Sequence, residues 1–477
     1  MKKLKMYING KFVESRSKKW IDVLNPSTEE VISQQPDATI EDAEEAIDAA
    51  KEAGKQWAKL PACQRAVYLK KIAEGIRKRR EKFIDIIIRE QGKTRSWATI
   101  EVDVTADYFD YMASFARHIE GEIIQSDNVG ETILLSKKPI GVVAGILPWN
   151  FPFFLIARKA GAALIAGCTI VLKPSQLTPE NCTEFAKVID EVGLPKGVIN
   201  IVTGKGSVIG AHMSASPKIG IVSVTGSVSA GESIMAAASK NITKVSLELG
   251  GKAPVIICKD ADLELAADAV LASRIGNNGQ ICNNAERCYI HKDVKKEFTK
   301  LLLKRFKAVT YGDPSVEENV DMGPLVEKRA LESVSEKVKN AVKQGAKVLC
   351  GGKVPAKKGY FYPATLLDNV KQDFDIVHEE TFGPVLPLIE YTDLDEAIAW
   401  ANDCEYGLAS SVFTNDINTA AKVCRELEFG ETYVNRFHFE GMQGFHAGVK
   451  KSGIGGADGK HGIEEYLVTH VTYLQTK

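Results

Sequence analysis

The sequence predicts an α/β protein of two large lobes: a Rossmann-like unit on a parallel sheet, and a second α/β unit. Three observations carry that expectation. Between residues 141 and 249, short apolar runs alternate with helix-patterned segments, and after Asp262 the alternation starts again. The length, 477 residues, exceeds what one hydrophobic core usually supports.

In order along the chain, residues 6–32 read as short strands and turns. Asn9-Gly10 between Met6-Tyr7-Ile8 and Lys11-Phe12-Val13 is a hairpin signal. Helical spacing marks 39–58 through Ala43, Ile47 and Ala50, then 61–91 through Val67, Leu69, Ile72 and Ile76, then 97–120. Residues 122–138 alternate without helical period and read as a projecting hairpin whose expected partner is the tail, 465–474. Such a tail strand is often used between subunits, although an ordinary edge strand has the same pattern. From 141 onward come apolar 141–147, helical 153–166, apolar 169–172, helical 179–192, apolar 198–202 and a helix from 207. Apolar 219–224, a helix from 229 and apolar 245–249 complete the series. This alternation means crossover units and a parallel sheet, an architecture that binds dinucleotides at its strand ends. Beyond 262 follow a helix, a strand at 287–290, helices at 294–308 and 325–345, and strands at 346–349, 364–367 and 385–391. A helix at 393–402 and the apolar run 410–413 end the second lobe.

Composition narrows the function. Apolar residues make up 44% and charged residues 26%, the balance of a water-soluble globular enzyme. A formal net charge of −1 offers no bulk attraction to nucleic acid or an anionic membrane. Met1-Lys2-Lys3-Leu4-Lys5 is not followed by the apolar stretch of a signal peptide, and the most apolar region, 151–172, is interrupted by Arg158 and Lys159. The nine cysteines are odd in number and scattered, which speaks against a disulfide framework and against a metal site. Reduced thiols in a cytoplasm are the simpler expectation.

Two stretches carry chemistry. Leu247-Glu248-Leu249-Gly250-Gly251-Lys252 puts a carboxylate at the end of an apolar run, and 34 residues after Glu248 the loop Gly279-Gln280-Ile281-Cys282 ends in a thiol. A thiolate is a strong nucleophile, and a nearby carboxylate can activate water to clear the resulting thioester, a division of labour that suits oxidation of an aldehyde to an acid. The residues alone equally allow a buried inert cysteine and a glutamate that never meet. Gly204-Lys205-Gly206-Ser207-Val208-Ile209-Gly210 departs from the dinucleotide fingerprint G-x-G-x-x-G. Thr225-Gly226-Ser227 closes a strongly apolar run and opens a helix, where free N–H groups suit a pyrophosphate or where the serine is simply a cap.

Six stretches in order are more specific: Leu147-Pro148-Trp149-Asn150-Phe151-Pro152, Lys173-Pro174-Ser175, the Gly226 turn, Glu248-Leu249-Gly250-Gly251-Lys252, Gly279-Gln280-Ile281-Cys282 and Glu379-Glu380-Thr381-Phe382-Gly383-Pro384. Together they resemble the aldehyde dehydrogenase superfamily over essentially the whole chain. The resemblance implies an NAD(P)-binding domain from 1–120 and 140–248, a catalytic domain from 249–450, and a small β oligomerisation element from 121–139 and 458–477. It implies Cys282 as nucleophile, Glu248 as general base and Asn150 as an oxyanion donor beside the Cys282 backbone N–H. Cofactor contacts would come from Ile146, Leu147, Pro148, Trp149, Lys173, Ser175, Gln176, Gly206, Gly210, Thr225, Gly226, Ser227, Leu249, Gly250, Glu380 and Phe382. No metal is implied, and a homodimer or homotetramer is. CoA-acylating members lack the glutamate base and catalytically silent ones would lose a site residue; Cys282, Glu248 and Asn150 are all present.

Further stretches, among them Phe439-Glu440-Gly441-Met442-Gln443-Gly444-Phe445-His446 and Gly456-Ala457-Asp458-Gly459-Lys460-His461-Gly462, resemble the branch acting on short hydroxyaldehydes such as lactaldehyde and glycolaldehyde. That likeness places Arg158, Asn283, Glu440 and His446 around a polar substrate pocket. Glyceraldehyde or succinate semialdehyde are the alternatives. Many NAD-dependent relatives carry a glutamate where this chain has Gln176. A neutral amide bonds ribose hydroxyls without repelling a 2′-phosphate, so both NAD and NADP remain open.

Overall fold

The computed structural model describes residues 1–477 except 318. An eight-stranded sheet runs in the spatial order Gly453–Ile454, Lys244–Glu248, Ile219–Thr225, Val142–Ile146, Thr169–Lys173, Ile199–Ile201, Met6–Ile8 and Lys11–Val13. The five central strands are parallel and, numbered along the chain, lie in the order 3-2-1-4-5. Strand order reverses between Val142–Ile146 and Ile219–Thr225, and in such sheets ligands bind at the carboxyl ends beside that reversal. Continuous apolar runs form these strands because both faces are covered. Helix Phe154–Ala166 is buried at every position after its first. It packs between the sheet and the helices Ala62–Lys78 and Arg95–Ser114.

A seven-stranded sheet has the order Lys347–Cys350, Thr365–Asp368, Val385–Tyr391, Ala285–His291, Ala253–Ile257, Ala409–Phe413 and Glu431–Val434, parallel except at its first strand. Here the amino ends of the strands face the crevice. Gly251-Lys252, Cys282 and Phe382 each lie just ahead of a strand, and the carboxyl ends of one sheet meet the amino ends of the other.

The expected hairpin forms from Glu122–Gln125 and Glu131–Pro139. The tail strand Leu467–Gln475 pairs with it from Leu467↔Pro139 to Gln475↔Glu131. Ile123, Ile124, Val468, Val471, Tyr473 and Leu474 stand exposed on this three-stranded sheet.

Three sequence expectations change. The single helix over 61–91 is two, Ala62–Lys78 and Arg80–Gln91, parted at Arg79 (φ −112°, ψ 17°). No glycine or proline marks that break. It is tertiary, for Arg79 is held by Glu184 and Glu191 of another helix. The second lobe begins earlier than Asp262, with the central strand Ala253–Ile257. Its Pro254, an unfavourable strand residue, sits at a register shift where a missing N–H is tolerated. After 413 the lobe continues with helix Ile417–Glu426 and strand Glu431–Val434.

One buried carboxylate ties the amino ends of the second sheet together. Glu286 accepts from Lys252 Nζ at 2.6 Å, Arg274 NH1 at 2.7 Å, and the backbone N–H groups of Thr381 and Phe382 at 3.0 and 3.3 Å. Burial opposes its charge, yet Arg274 and Lys252 hold its pKa down from 4.5 to about 2. Glu286→Gln would leave two buried cations without their counter-charge, a loss of about 3–5 kcal/mol measurable as a lowered urea midpoint. A folded pKa below the unfolded one means this contribution is complete above about pH 4.5 and is lost as pH falls toward 2. The variant should therefore have a flatter acid limb. Wild-type stability at neutral pH would show that these groups are not coupled.

Candidate active site

Glu248 and Cys282 meet because two loops approach closely. A Cβ on Gly251 would lie 2.2 Å from the Cys282 carbonyl oxygen, so no other residue fits there without moving the loop. Ahead of Cys282 the backbone turns sharply through the left-handed residues Asn277, Asn278 and Gly279 (φ 45°, 58° and 74°). At Gly279 a side chain would meet the Gly383 carbonyl. Cys282 is half-buried and packs beside Leu408 and Tyr433.

Asn150 stands beside the loop that delivers Cys282, its amide donating to the Gln280 carbonyl at 3.0 Å. Its own carbonyl accepts from Lys93 Nζ at 2.8 Å and Asn277 Nδ2 at 3.0 Å. Lys93 pairs with Glu101 at 2.6 Å, both fully buried, and Glu101 also accepts from the backbone N–H of Phe153 and Phe154 at the start of the following helix. A single ion pair thus holds the turn that carries Asn150.

Cys282, Glu248, Asn150, Arg158, Asn283 and Glu440 line one cavity of about 280 Å³. Phe151, Phe154, Ile281, Phe439 and Met442 make much of its remaining wall apolar. At the polar end, Arg158 NH2 donates to Glu440 Oε1 at 2.9 Å and Asn283 Nδ2 donates to Glu440 Oε2 at 2.8 Å. His446 adjoins Cys282 at the edge of the cavity, 2% exposed, with Nδ1 2.7 Å from Glu431 Oε1. Burial disfavours its charge, but Glu431 and Glu440 outweigh that and hold the imidazole protonated, well above its ordinary range.

Glu248 is 4% exposed and accepts from Thr225 Oγ1 at 3.0 Å. Burial alone would push its carboxyl up. Lys159, Arg158 and His446 reverse this and keep it below the usual carboxylate range, so it stays ionised at neutral pH.

The expected cofactor contacts follow the strand ends. Ile146, Lys173, Thr225 and Glu248 are the last residues of four neighbouring parallel strands. Gly210, with Gly206 at the start of the same turn, lies against Ile146 and Lys173. Lys173 is 3% exposed, and burial pushes its pKa down to about 8. Its ammonium donates to the Pro174 carbonyl at 2.9 Å, and its other protons find no protein acceptor among the described residues. Such a group suits a hydroxyl-rich ligand. Ser175 accepts from the Leu177 N–H, and the neighbouring Gln176 is tied to Gln35 through its carbonyl. Ser227 follows Gly226 and caps the helix Val228–Ala238, against which Leu249 packs. Leu147 and Pro148 lead into Trp149, whose ring meets Phe382 edge-on at 5.5 Å across the crevice. Phe382 has a left-handed φ of 50°. Glu380 lies against Gly250 and accepts from the Gly251 N–H at 2.8 Å; burial and the neighbouring Glu286 push its pKa up to about 7.

Sequence reasoning missed Lys93, Glu101, Glu431 and Asp458. All four are buried or half-buried polar residues that hold other site residues. Glu101 sits within a helical pattern and carries no local signal; Asp458 lies in a stretch singled out only by likeness.

The model of the aldehyde dehydrogenase family matches residues 12–472. The chain is 56% identical to lactaldehyde dehydrogenase of Escherichia coli (strain K12), over 99% of this chain and 98% of that one. It is 40% identical to the D-glyceraldehyde dehydrogenase (NADP(+)) of Picrophilus torridus, over 99% and 96% of the two chains. A crystal structure of the Escherichia coli lactaldehyde dehydrogenase superimposes with a TM-score of 0.98, covering 99% of each chain. A match that runs through both large sheets and into the tail strand makes this protein a member of the aldehyde dehydrogenase family.

Proposed function

We propose that this chain, an NAD(P)-dependent aldehyde oxidoreductase by its family, oxidises short hydroxyaldehydes such as lactaldehyde and glycolaldehyde to their carboxylic acids. The observation that carries this reading is the polar end of the cavity, where Arg158, Glu440 and Asn283 are held together beside Cys282. A fatty or aromatic aldehyde offers those polar groups no hydrogen bond, whereas a 2-hydroxyl can bond them. Glyceraldehyde carries the same hydroxyl and is the second substrate we expect, in keeping with the relative named for it.

The Cys282 thiolate attacks the aldehyde carbon, and the resulting oxyanion is met by the Asn150 amide and the Cys282 backbone N–H. Preorganised donors of this kind are worth several kcal/mol in a dry site. Lys173, Gln176, the Ser227 helix start, Glu380 and Phe382 hold the nicotinamide dinucleotide, which when bound supplies the hydride acceptor. Glu248, ionised inside its cationic surroundings, then takes a proton from the water that hydrolyses the thioester. Residues 1–120 and 140–248 serve as the cofactor domain, 249–450 as the catalytic domain, and 121–139 with 458–477 as the oligomerisation element. The exposed apolar side chains of that last sheet support a homo-oligomer, and nine free cysteines suit a reducing cytoplasm.

Glu248→Gln should slow thioester hydrolysis more than hydride transfer. Rapid mixing would then show a burst of reduced cofactor followed by slow turnover; if both phases slow alike, Glu248 acts earlier, on the thiol. Gln176→Glu should weaken NADP use about tenfold relative to NAD. Unit charges ~4 Å apart at an effective dielectric of ~20 interact by ~4 kcal/mol, and a third of that is roughly a factor of ten. An unchanged cofactor ratio in steady-state kinetics would place ribose recognition elsewhere. Arg158→Ala should lower kcat/KM for glycolaldehyde at least tenfold, since a lost hydrogen bond to a charged group costs about 1.5–3 kcal/mol, while propanal, lacking the hydroxyl, loses much less. Equal losses would refute hydroxyl reading by this residue.

A further inference from the structure

Arg158 reaches the cavity from helix Phe154–Ala166, and a long guanidinium side chain needs an external reference to point one way. Glu440 touches only one of its nitrogens, NH2. A second carboxylate, Asp458, meets the guanidinium edge-on: Arg158 Nε donates to Oδ1 at 3.1 Å and NH2 donates to Oδ2 at 2.8 Å. Two parallel bonds of this kind fix the plane of the fork as well as its position. The remaining nitrogen, NH1, is left 4.0 Å from Glu248 Oε2. One face of the fork lies against the Phe154 ring, 4.8 Å from its centroid.

Asp458 is itself held firmly. It is 1% exposed and adopts φ 74°, a left-handed conformation for a residue with a side chain. Such conformations persist where the surroundings over-determine them, and they cluster at functional sites. The preceding residue, Ala457, forms an antiparallel bridge with His446 through two backbone hydrogen bonds of 2.9 and 2.8 Å. Helix Gly459–Glu464 begins immediately after Asp458. The reference point for Arg158 therefore comes from a segment 300 residues away that is pinned to the backbone of another pocket residue.

We infer that Asp458 is a positioning residue that sets the orientation of Arg158 in the cavity and is thereby a determinant of hydroxyaldehyde specificity. The inference deepens the proposed function and rests on Arg158 reading the substrate hydroxyl. If the two carboxylates divided the work equally, loss of either would act alike. Here Glu440 also binds Asn283 and faces the cavity, while Asp458 is absent from the cavity wall and makes its side-chain hydrogen bonds to Arg158.

A double-mutant cycle on the full-length enzyme tests this, with D458N, D458A, R158A and the two double variants assayed on glycolaldehyde and propanal. D458N should lower the ratio of kcat/KM for glycolaldehyde over propanal at least fivefold, mainly through KM for glycolaldehyde. In the R158A background, either Asp458 substitution should change that ratio less than twofold, because the group it orients is gone. A merely structural ion pair would depress both aldehydes together. Equal losses for the two aldehydes in D458N, with R158A still losing far more on glycolaldehyde than on propanal, would overturn the inference while leaving the hydroxyl reading intact. Multiplying effects in the double variants would overturn it as well. If R158A lowers kcat/KM for both aldehydes alike, the hydroxyl reading fails first and this inference with it. Should D458A not fold, as judged by its melting transition, the D458N arm of the cycle carries the comparison.

Discussion

The geometry of the crevice depends on one buried carboxylate. Glu286 binds Lys252 from the loop before one strand, Arg274 from a helix, and two backbone N–H groups from the loop before another strand. Arg274 in turn donates to the carbonyls of Gly279 and Gly383. The loop that delivers Cys282 and the loop that carries Glu380 and Phe382 are therefore referred to the same point. The device recurs with Lys93 and Glu101, which fix the turn bearing Asn150. A charged pair with no exposure tolerates little displacement, because each partner left alone would be a buried uncompensated charge. Precision at the thiol is obtained from groups that do not touch the cavity's polar end.

A second theme is the alternation of charge around the cavity. Arg158, Lys159 and His446 face Glu248, Glu440, Glu431 and Asp458 in a largely buried interior. No member could be removed without shifting its neighbours. Glu248 remains ionised despite burial because three cations surround it, and His446 remains protonated because two carboxylates do. The same arrangement that keeps a base charged also leaves hydrogen-bonding groups for a small polar substrate beside it.

Much of this was legible from the sequence, for local reasons. Parallel strands buried on both faces announce themselves as apolar runs, so Val385–Tyr391 is found at its expected bounds and Ile219–Thr225 within a residue. The glycines around Cys282 and Glu248 mark sharp turns and close approach, and the structure brings those two loops together. What was not legible is of another kind. The helix break at Arg79 has no local breaker and arises from contacts with Glu184 and Glu191. Pro254 hid a central strand because only a register shift, a property of the assembled sheet, makes proline acceptable there. Lys93, Glu101, Glu431 and Asp458 act by reaching other side chains across the fold, and pattern within a window carries no trace of such reach.

The edge strand Gly453–Ile454 bears on how the chain is made. It pairs with Leu247 and Glu248, about two hundred residues earlier in the sequence. During translation, the strand that ends in Glu248 leaves the ribosome as an open edge, with one row of backbone N–H and C=O groups unpaired. The four parallel strands before it can assemble meanwhile, but this one stays available to foreign strands until residues 453 and 454 arrive. Pairings that span so much chain form slowly and leave partly folded species open to aggregation. Only when residues 453 and 454 arrive does the end of the strand that carries Glu248 have backbone partners on both sides.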